Sequence, residues 1–220
     1  MVRMMTFPSR QEWLEARLLG GSDAAAAMGR CPWMSNLELW RLKTGRREPQ
    51  DLSENPFVRY GTEAEAPIRE LFALDYPEYA VGYEPNNLWV NDRYPHATAS
   101  LDGWLQDPDG RFGVLEIKTA TMQRAGQYEQ WRESIPEHYY IQLLHNMAVT
   151  EAEYGVLVAQ LTFRRDGDLM KITRHYTVEA ADRAADIELV MASGARFWAH
   201  VTNNTEPPLR LPERRRKETK

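Results

Sequence analysis

The feature that most constrains this chain is a change of period near its middle. Around residues 97–105 and 112–118 polar and apolar residues alternate as in strands, and Asp107-Pro108-Asp109-Gly110 between them is a turn sequence, so the two runs are expected to form a hairpin. Charge interrupts the pattern at Asp102, within Ala99-Ser100-Leu101-Asp102-Gly103, and at Glu116 and Lys118 on either side of Ile117. Side chains two apart on a strand point the same way, so Glu116 and Lys118 share a face and Ile117 points into the core. A register that brings Asp102 beside that face gathers two carboxylates and an ammonium in one patch. Oxygen ligands without sulfur suit magnesium or manganese rather than zinc, together with a polarised water. A Glu-x-Lys triplet by itself is more often an exposed, ion-paired strand face. Asp102 shifts the balance, because a carboxylate in a strand-like run is unfavourable unless it is paired or bound to metal.

The rest of the chain surrounds this hairpin with helices and further strands. Ser9 with Glu12, ahead of Trp13, Leu14 and Leu18, and Ser35 with Glu38, ahead of Leu39 and Trp40, have the spacing of capping boxes, so the opening third is expected to be helical. Between them Gly20-Gly21-Ser22-Asp23 feeds the run Ala24–Ala27, with Ser22 as the expected cap. A longer helix is expected over about 59–75, burying Ile68, Leu71, Phe72 and Leu74, with Pro67 in its first turns or at a kink. After the hairpin come a polar helix over about 120–133, a helix over about 137–149, strands over 154–163 and 169–178 joined at Arg165-Asp166-Gly167, and a final helix over about 179–199. That helix would bury Ile187, Val190, Met191, Phe197 and Trp198. The order predicts an α/β domain with a mixed sheet.

With 220 residues, 43% of them hydrophobic, residues 1–205 read as one soluble domain and 206–220 as a basic tail carrying Arg214, Arg215, Arg216 and Lys217. No run approaches the roughly 18 apolar residues of a membrane span, and no secretory pattern opens the chain, so a cytoplasmic protein with no membrane partner is expected. Cys31, the single cysteine, excludes an internal disulfide and a multi-cysteine zinc or iron–sulfur site. His96, His138, His145, His175 and His200 lack a ligand spacing and read as structural or surface residues. Trp33, Trp40, Trp89, Trp104, Trp131 and Trp198 read as core. A formal net charge of -5 argues against general affinity for nucleic acid.

An Asp followed by Glu-x-Lys across a hairpin resembles the core motif of the PD-(D/E)xK nuclease superfamily, and the flanking text is similar to its YqaJ-type, lambda-exonuclease-like branch. Trp13-Leu14-Glu15-Ala16-Arg17 with Gly20-Gly21-Ser22-Asp23-Ala24-Ala25 resembles the first block of that branch. Leu39-Trp40, Lys43-Thr44-Gly45 and Gly61-Thr62-Glu63-Ala64-Glu65 resemble the next. Ile135-Pro136, Tyr139, Gln142 and His145-Asn146-Met147-Ala148-Val149-Thr150 resemble the block after the Glu-x-Lys strand. The superfamily's proline before the aspartate is Leu101 here, which leaves the carboxylate in place.

The resemblance implies a restriction-endonuclease-like core, a central mixed β-sheet flanked by helices. It implies that Asp102, Glu116 and the Ile117 carbonyl hold metal, with Glu65 completing a second position or holding a metal-bound water. Two magnesium ions, for which manganese can substitute, would then serve in-line hydrolysis of a phosphodiester. Lys118 would face the attacking water and scissile phosphate, Gln142 would orient Lys118 or the water, and Tyr139 would pack its helix. Arg17 and Ser22 would meet a DNA 5′ phosphate. The implied protein is a magnesium-dependent exonuclease resecting linear duplex 5′ to 3′ for phage-type recombination. Its implied partners are double-stranded DNA ends, a single-strand annealing protein and, as a homotrimer, copies of itself. The alternatives are an endonuclease acting on nicks, flaps or branches with the same core, and a non-catalytic DNA-end-binding protein. With so acidic a chain, contact with DNA is expected only at the metal-filled cleft, the Arg17/Ser22 corner and the Arg214–Lys217 tail.

Overall fold

A computed structural model describes residues 1–122, 125–165 and 167–210. The two ends of the expected hairpin do pair, but the first run is not one strand. Thr98–Ala99 (β4) joins β3 (Asn87–Asn91), which pairs in turn with β1 (Val2–Thr6), whereas Gly103–Gln106 (β5) joins β6 (Phe112–Thr121) in a different sheet. The chain changes sheets at residues 100–102. Asn87 holds this crossing at Leu101, accepting from its N–H and donating to its carbonyl, both at 2.9 Å. Asp102 therefore stands in a break between sheets, outside the strands of either.

The main sheet runs β2-β5-β6-β7-β8, with β2 at Ala80–Gly82, β7 at Tyr154–Arg165 and β8 at Asp168–Glu179. Only β6 and β7 are parallel, linked by a crossover through α5 (Ala125–Glu133) and α6 (Glu137–Thr150), as a parallel pair requires. Strand alternation divides β6 between two cores. Leu115 and Ile117 face α4 (Pro56–Asp75), against Ala64, Ile68 and Phe72. Val114 belongs to the larger core beneath α6, α2 (Gly21–Ala27) and α7 (Ala184–Thr202), with Leu143, Leu144, Met147, Val190 and Phe197. Glu116 and Lys118 share the parity of Val114 and so fall on the α6 side.

Several local expectations need correction. The start of the chain contains β1 as well as α1 (Arg10–Ala16) and α3 (Asn36–Lys43), because β1, whose side chains stay largely exposed, is fixed by backbone pairing with β3 and not by a buried periodicity. The cap of α2 is Gly20, not Ser22: the Asp23 carboxylate turns back to accept from the Gly20 N–H at 3.0 Å. Ser35 and Glu38 do make the reciprocal box, whereas Ser9 caps α1 without the return bond. Pro67 lies in the interior of α4, which continues through it, and Leu71 and Leu74 are exposed. Residues 120–121 end β6 instead of starting a helix, and 123–124 lie outside the described residues, as do Asp166 of the expected turn and the 211–220 tail. A 3-10 turn at Ala181–Arg183 precedes α7. Trp33 is not core but 65% exposed. Among the described residues no helix is long and apolar enough to cross a membrane.

Candidate active site

The break at 100–102 and strand β6 bring the expected motif together. Asp102 Oδ2 accepts from the Ile117 N–H at 2.8 Å, so the carboxylate lies against the Glu-x-Lys strand. Arg69 of α4 fastens the same residue from outside, donating to the Asp102 carbonyl at 2.6 Å while its guanidinium lies 3.6 Å from the centre of the Tyr83 ring. Lys118 Nζ is 2.5 Å from Glu116 Oε1, the shared face that the two-residue spacing predicts. Glu116 is completely buried, and its carboxylate also accepts from Gln142 Nε2 at 2.5 Å and from Asn146 Nδ2 at 2.9 Å, both on α6. Gln142 thus holds Glu116 and not Lys118. The Tyr139 ring lies near the ammonium, its centre 5.6 Å from Nζ.

These contacts set the charges. Burial, reinforced by the Asp102 carboxylate, pushes Glu65 up to about 7. Burial also drives Glu116 up to about 7, against the pull of Lys118. Lys118 is buried too, but Glu116 and Asp102 outweigh that penalty and hold it protonated well above the usual lysine range. The site is therefore crowded with acid groups whose charged forms need a cation.

Asp102 and Glu65 line a cleft of about 280 Å³ with Thr62, Tyr83, Gln142 and Asn146, and Arg10, Trp13, Arg17, Gly21 and Ser22 line the same cleft. Arg17 donates to Ser22 Oγ at 3.2 Å, so the expected pair does share a corner. Both Arg10 and Arg17 lie over the Trp13 ring, at 5.5 and 4.6 Å from its centre, and Trp13 Nε1 donates to the Asn87 carbonyl and to Ser100 Oγ. The indole is thereby anchored to the loop that presents Asp102. Behind the corner Asp23 pairs with Lys43 at 2.7 Å; burial pushes Asp23 up, but Lys43 and Arg17 outweigh it and keep the carboxylate ionised. Among the described residues no three His, Cys, Asp or Glu groups converge closely enough to hold a metal ion as they stand. Glu116 in particular has its oxygens turned to Lys118, Gln142 and Asn146. Arg10, Arg69 and Asn87 escape a reading of the sequence, and Asn146 enters it only within the His145–Thr150 block. No local pattern marks the bonds of Arg69 to the Asp102 carbonyl, of Asn87 to Leu101 or of Asn146 to Glu116, whereas Arg10 lies over nearby Trp13.

A mixed five-stranded sheet flanked by helices, with Asp102 at the break before one strand and Glu-x-Lys on the next, is the restriction-endonuclease-like α/β fold of phage-type exonucleases. The YqaJ-like viral recombinase domain matches residues 12–153, and the chain belongs to that family. It is 30% identical over 148 residues to the uncharacterized protein YqaJ of Bacillus subtilis (strain 168), a match covering 66% of this chain and 44% of that protein. The alkaline exonuclease of Laribacter hongkongensis superposes with a TM-score of 0.59 at 19% identity, over 88% of this chain and 95% of that one. A phage related exonuclease from Haemophilus somnus 129PT gives 0.53 at 11% identity, over 88% and 99%.

Proposed function

We propose that this chain is a metal-dependent DNA exonuclease that hydrolyses phosphodiester bonds of linear duplex DNA 5′ to 3′, leaving 3′ single-stranded overhangs for phage-type recombination. The observation that carries this reading is one cleft lined by Asp102 and Glu65 together with Arg10, Arg17 and the start of α2, beside the buried Glu116–Lys118 pair. The exonucleases that share the fold support it.

The donor set fits a hard divalent cation in kind: it is oxygen only, and burial and mutual repulsion have already raised two of its carboxylates. Asp102, Glu116, Glu65 and the Ile117 carbonyl would hold it, as one or two magnesium ions or manganese in their place. Such ions supply Lewis-acid polarisation of the phosphate and a more acidic water. Lys118 contributes a fixed positive charge where negative charge grows at phosphorus. Its side chain keeps 19% exposure, whereas that of Glu116 keeps 1%, so the ammonium is the member of the pair that reaches outward. Arg10 and Arg17 supply charge for a terminal phosphate, and Ser22, on the first turn of α2, adds a hydroxyl beside them. The same reading takes in action in the cytoplasm of a bacterial or phage-infected cell, a homotrimeric assembly and a single-strand annealing partner.

Incubating the pure protein with magnesium and a linear duplex labelled at either end tests activity and polarity together. Nucleotides should be released from the 5′-phosphorylated strand, and covalently closed circular DNA should stay intact. Asp102→Ala and Lys118→Ala should each abolish release. Failure to digest DNA with any divalent metal would overturn the proposal, and cutting of closed circles would favour an endonuclease.

A further inference from the structure

Among the residues around Glu116, Asn146 is the one whose burial packing alone does not explain. It is 1% exposed, one turn after Gln142 on α6, and its Nδ2 donates to Glu116 Oε2 at 2.9 Å. Gln142 and Lys118 both act on the other oxygen, Oε1. The carboxylate is thus gripped at both oxygens, and Asn146 alone among these three holds Oε2. The second half of the amide is unsatisfied: Oδ1 is buried with no hydrogen-bond partner, although the residue stands in the cleft wall. An apolar side chain of the same size would pack there without leaving an orphan acceptor.

The amide cannot turn to relieve this. Reversing it would set its carbonyl against the Glu116 carboxylate. On the other side, α2 passes so close that a Cβ on Gly21 would lie 2.3 Å from Asn146 Oδ1, 3.0 Å from its Cγ and 3.2 Å from Gln142 Cγ. Gly21 thus allows α2 to approach and confine the amide, with its nitrogen toward Glu116 and its oxygen buried against Gly21.

We infer that Asn146 is a positioning residue of the metal site: held by Gly21, it fixes the orientation of the Glu116 carboxylate and thereby sets how tightly a divalent cation is bound. This rests on the metal-dependent reading above and deepens it. Asn146 acts through Glu116 and touches no reacting atom.

The test is a Mn2+ titration of the full chain by calorimetry, alongside melting temperature, duplex binding without metal, and digestion. Asn146→Leu keeps the volume and removes the donor. Gly21→Ala keeps every donor and favours the helix, but drives a methyl group into the amide. Both should weaken Mn2+ binding about 10-fold or more, the usual effect of losing a partner to a metal ligand, and in Asn146→Leu, a side chain given no contact with DNA, metal-free duplex binding should stay within about twofold of the parent. Digestion at low Mg2+ should fall in the same proportion and recover as Mg2+ is raised. Mn2+ affinity unchanged in a folded Asn146→Leu protein overturns the inference; if that variant does not fold, unchanged affinity in Gly21→Ala overturns it instead. Asp102→Ala separates the two readings. If the parent binds Mn2+ and Asp102→Ala does not, the metal site stands and the variants decide the role of Asn146. If the parent binds no Mn2+, or binds it equally after Asp102→Ala, both readings fall.

Discussion

His145 is buried where α6 meets β4, and its Nε2 is 3.0 Å from the Thr98 carbonyl, so it is the neutral tautomer that donates there. Burial holds its pKa at about 4, with His96 and Arg17 adding to the depression and the Thr98 carbonyl and Asp23 opposing it. An unfolded histidine titrates near 6.5. Its contribution to stability is therefore complete above pH 6.5 and is lost as pH falls toward 4, because the unfolded chain takes up the proton first. The loss amounts to at most about 3 kcal/mol. Urea unfolding at pH 7 and pH 4.5 should show a smaller drop for His145→Gln, which retains a donor and does not titrate, than for the parent; equal drops would refute the assignment. At this scale the sequence is legible where chemistry breaks a pattern. Asp102, Glu116 and Lys118 stand out because charge interrupts an apolar alternation, and the structure brings all three together. Asn87 and Arg69 do not stand out. What makes them matter is bonds to Leu101 and to the Asp102 carbonyl, 14 and 33 residues away, which no local pattern records.

The same division holds for elements. Helix α6 and the β7–β8 hairpin follow from period and turn chemistry, and their observed bounds are close to the expected ones. The small β1-β3-β4 sheet does not, because its strands are short and β1 depends on a partner more than 80 residues away, as in the pairing of Val2 with Asn91. That sheet is also why residues 97–105 are two strands: β4 is recruited to β3, and the crossing that results presents Asp102. The seat of α6 on the main sheet is equally non-local. A Cβ on Gly155 of β7 would lie 2.8 Å from both Leu143 Cδ1 and Met147 Sδ. Gly155→Ala should therefore push α6 outward, against the gain that alanine brings to a strand, and destabilise the protein by about 1–3 kcal/mol. Urea midpoints measure this. The variant should also lose activity, since Gln142 and Asn146 move with the helix; an active protein of parental stability would show that α6 can shift without disturbing Glu116.

For the whole molecule the proposed function raises the question of how a chain of net charge -5 would meet a polyanion. Acid groups occupy the site itself, as Glu65, Asp102 and Glu116, so a bound divalent cation would reverse the charge where, on that proposal, DNA would approach. The cleft's own cations are few: Arg10 and Arg17 line it, and Lys118 lies beside it. Counterion release then predicts a shallow salt dependence. In Mg2+-free buffer with a 5′-phosphorylated duplex, the logarithm of affinity should fall against the logarithm of salt with a slope of about 2–3, since each neutralised phosphate contributes about 0.9. Arg10→Ala or Arg17→Ala should each lower that slope by about 1, whereas Arg93→Ala, which does not line the cleft and lies over the Tyr94 ring, should leave it unchanged. A chain ending at Arg210 isolates the contribution of Arg214, Arg215, Arg216 and Lys217. If its slope matches that of the full chain, DNA is held by the cleft and its arginine corner; a collapse of the slope would place the electrostatic contact on the tail instead. A steep slope that survives every one of these changes would mean that DNA lies across some other face, and the acidic balance would no longer confine it to the cleft.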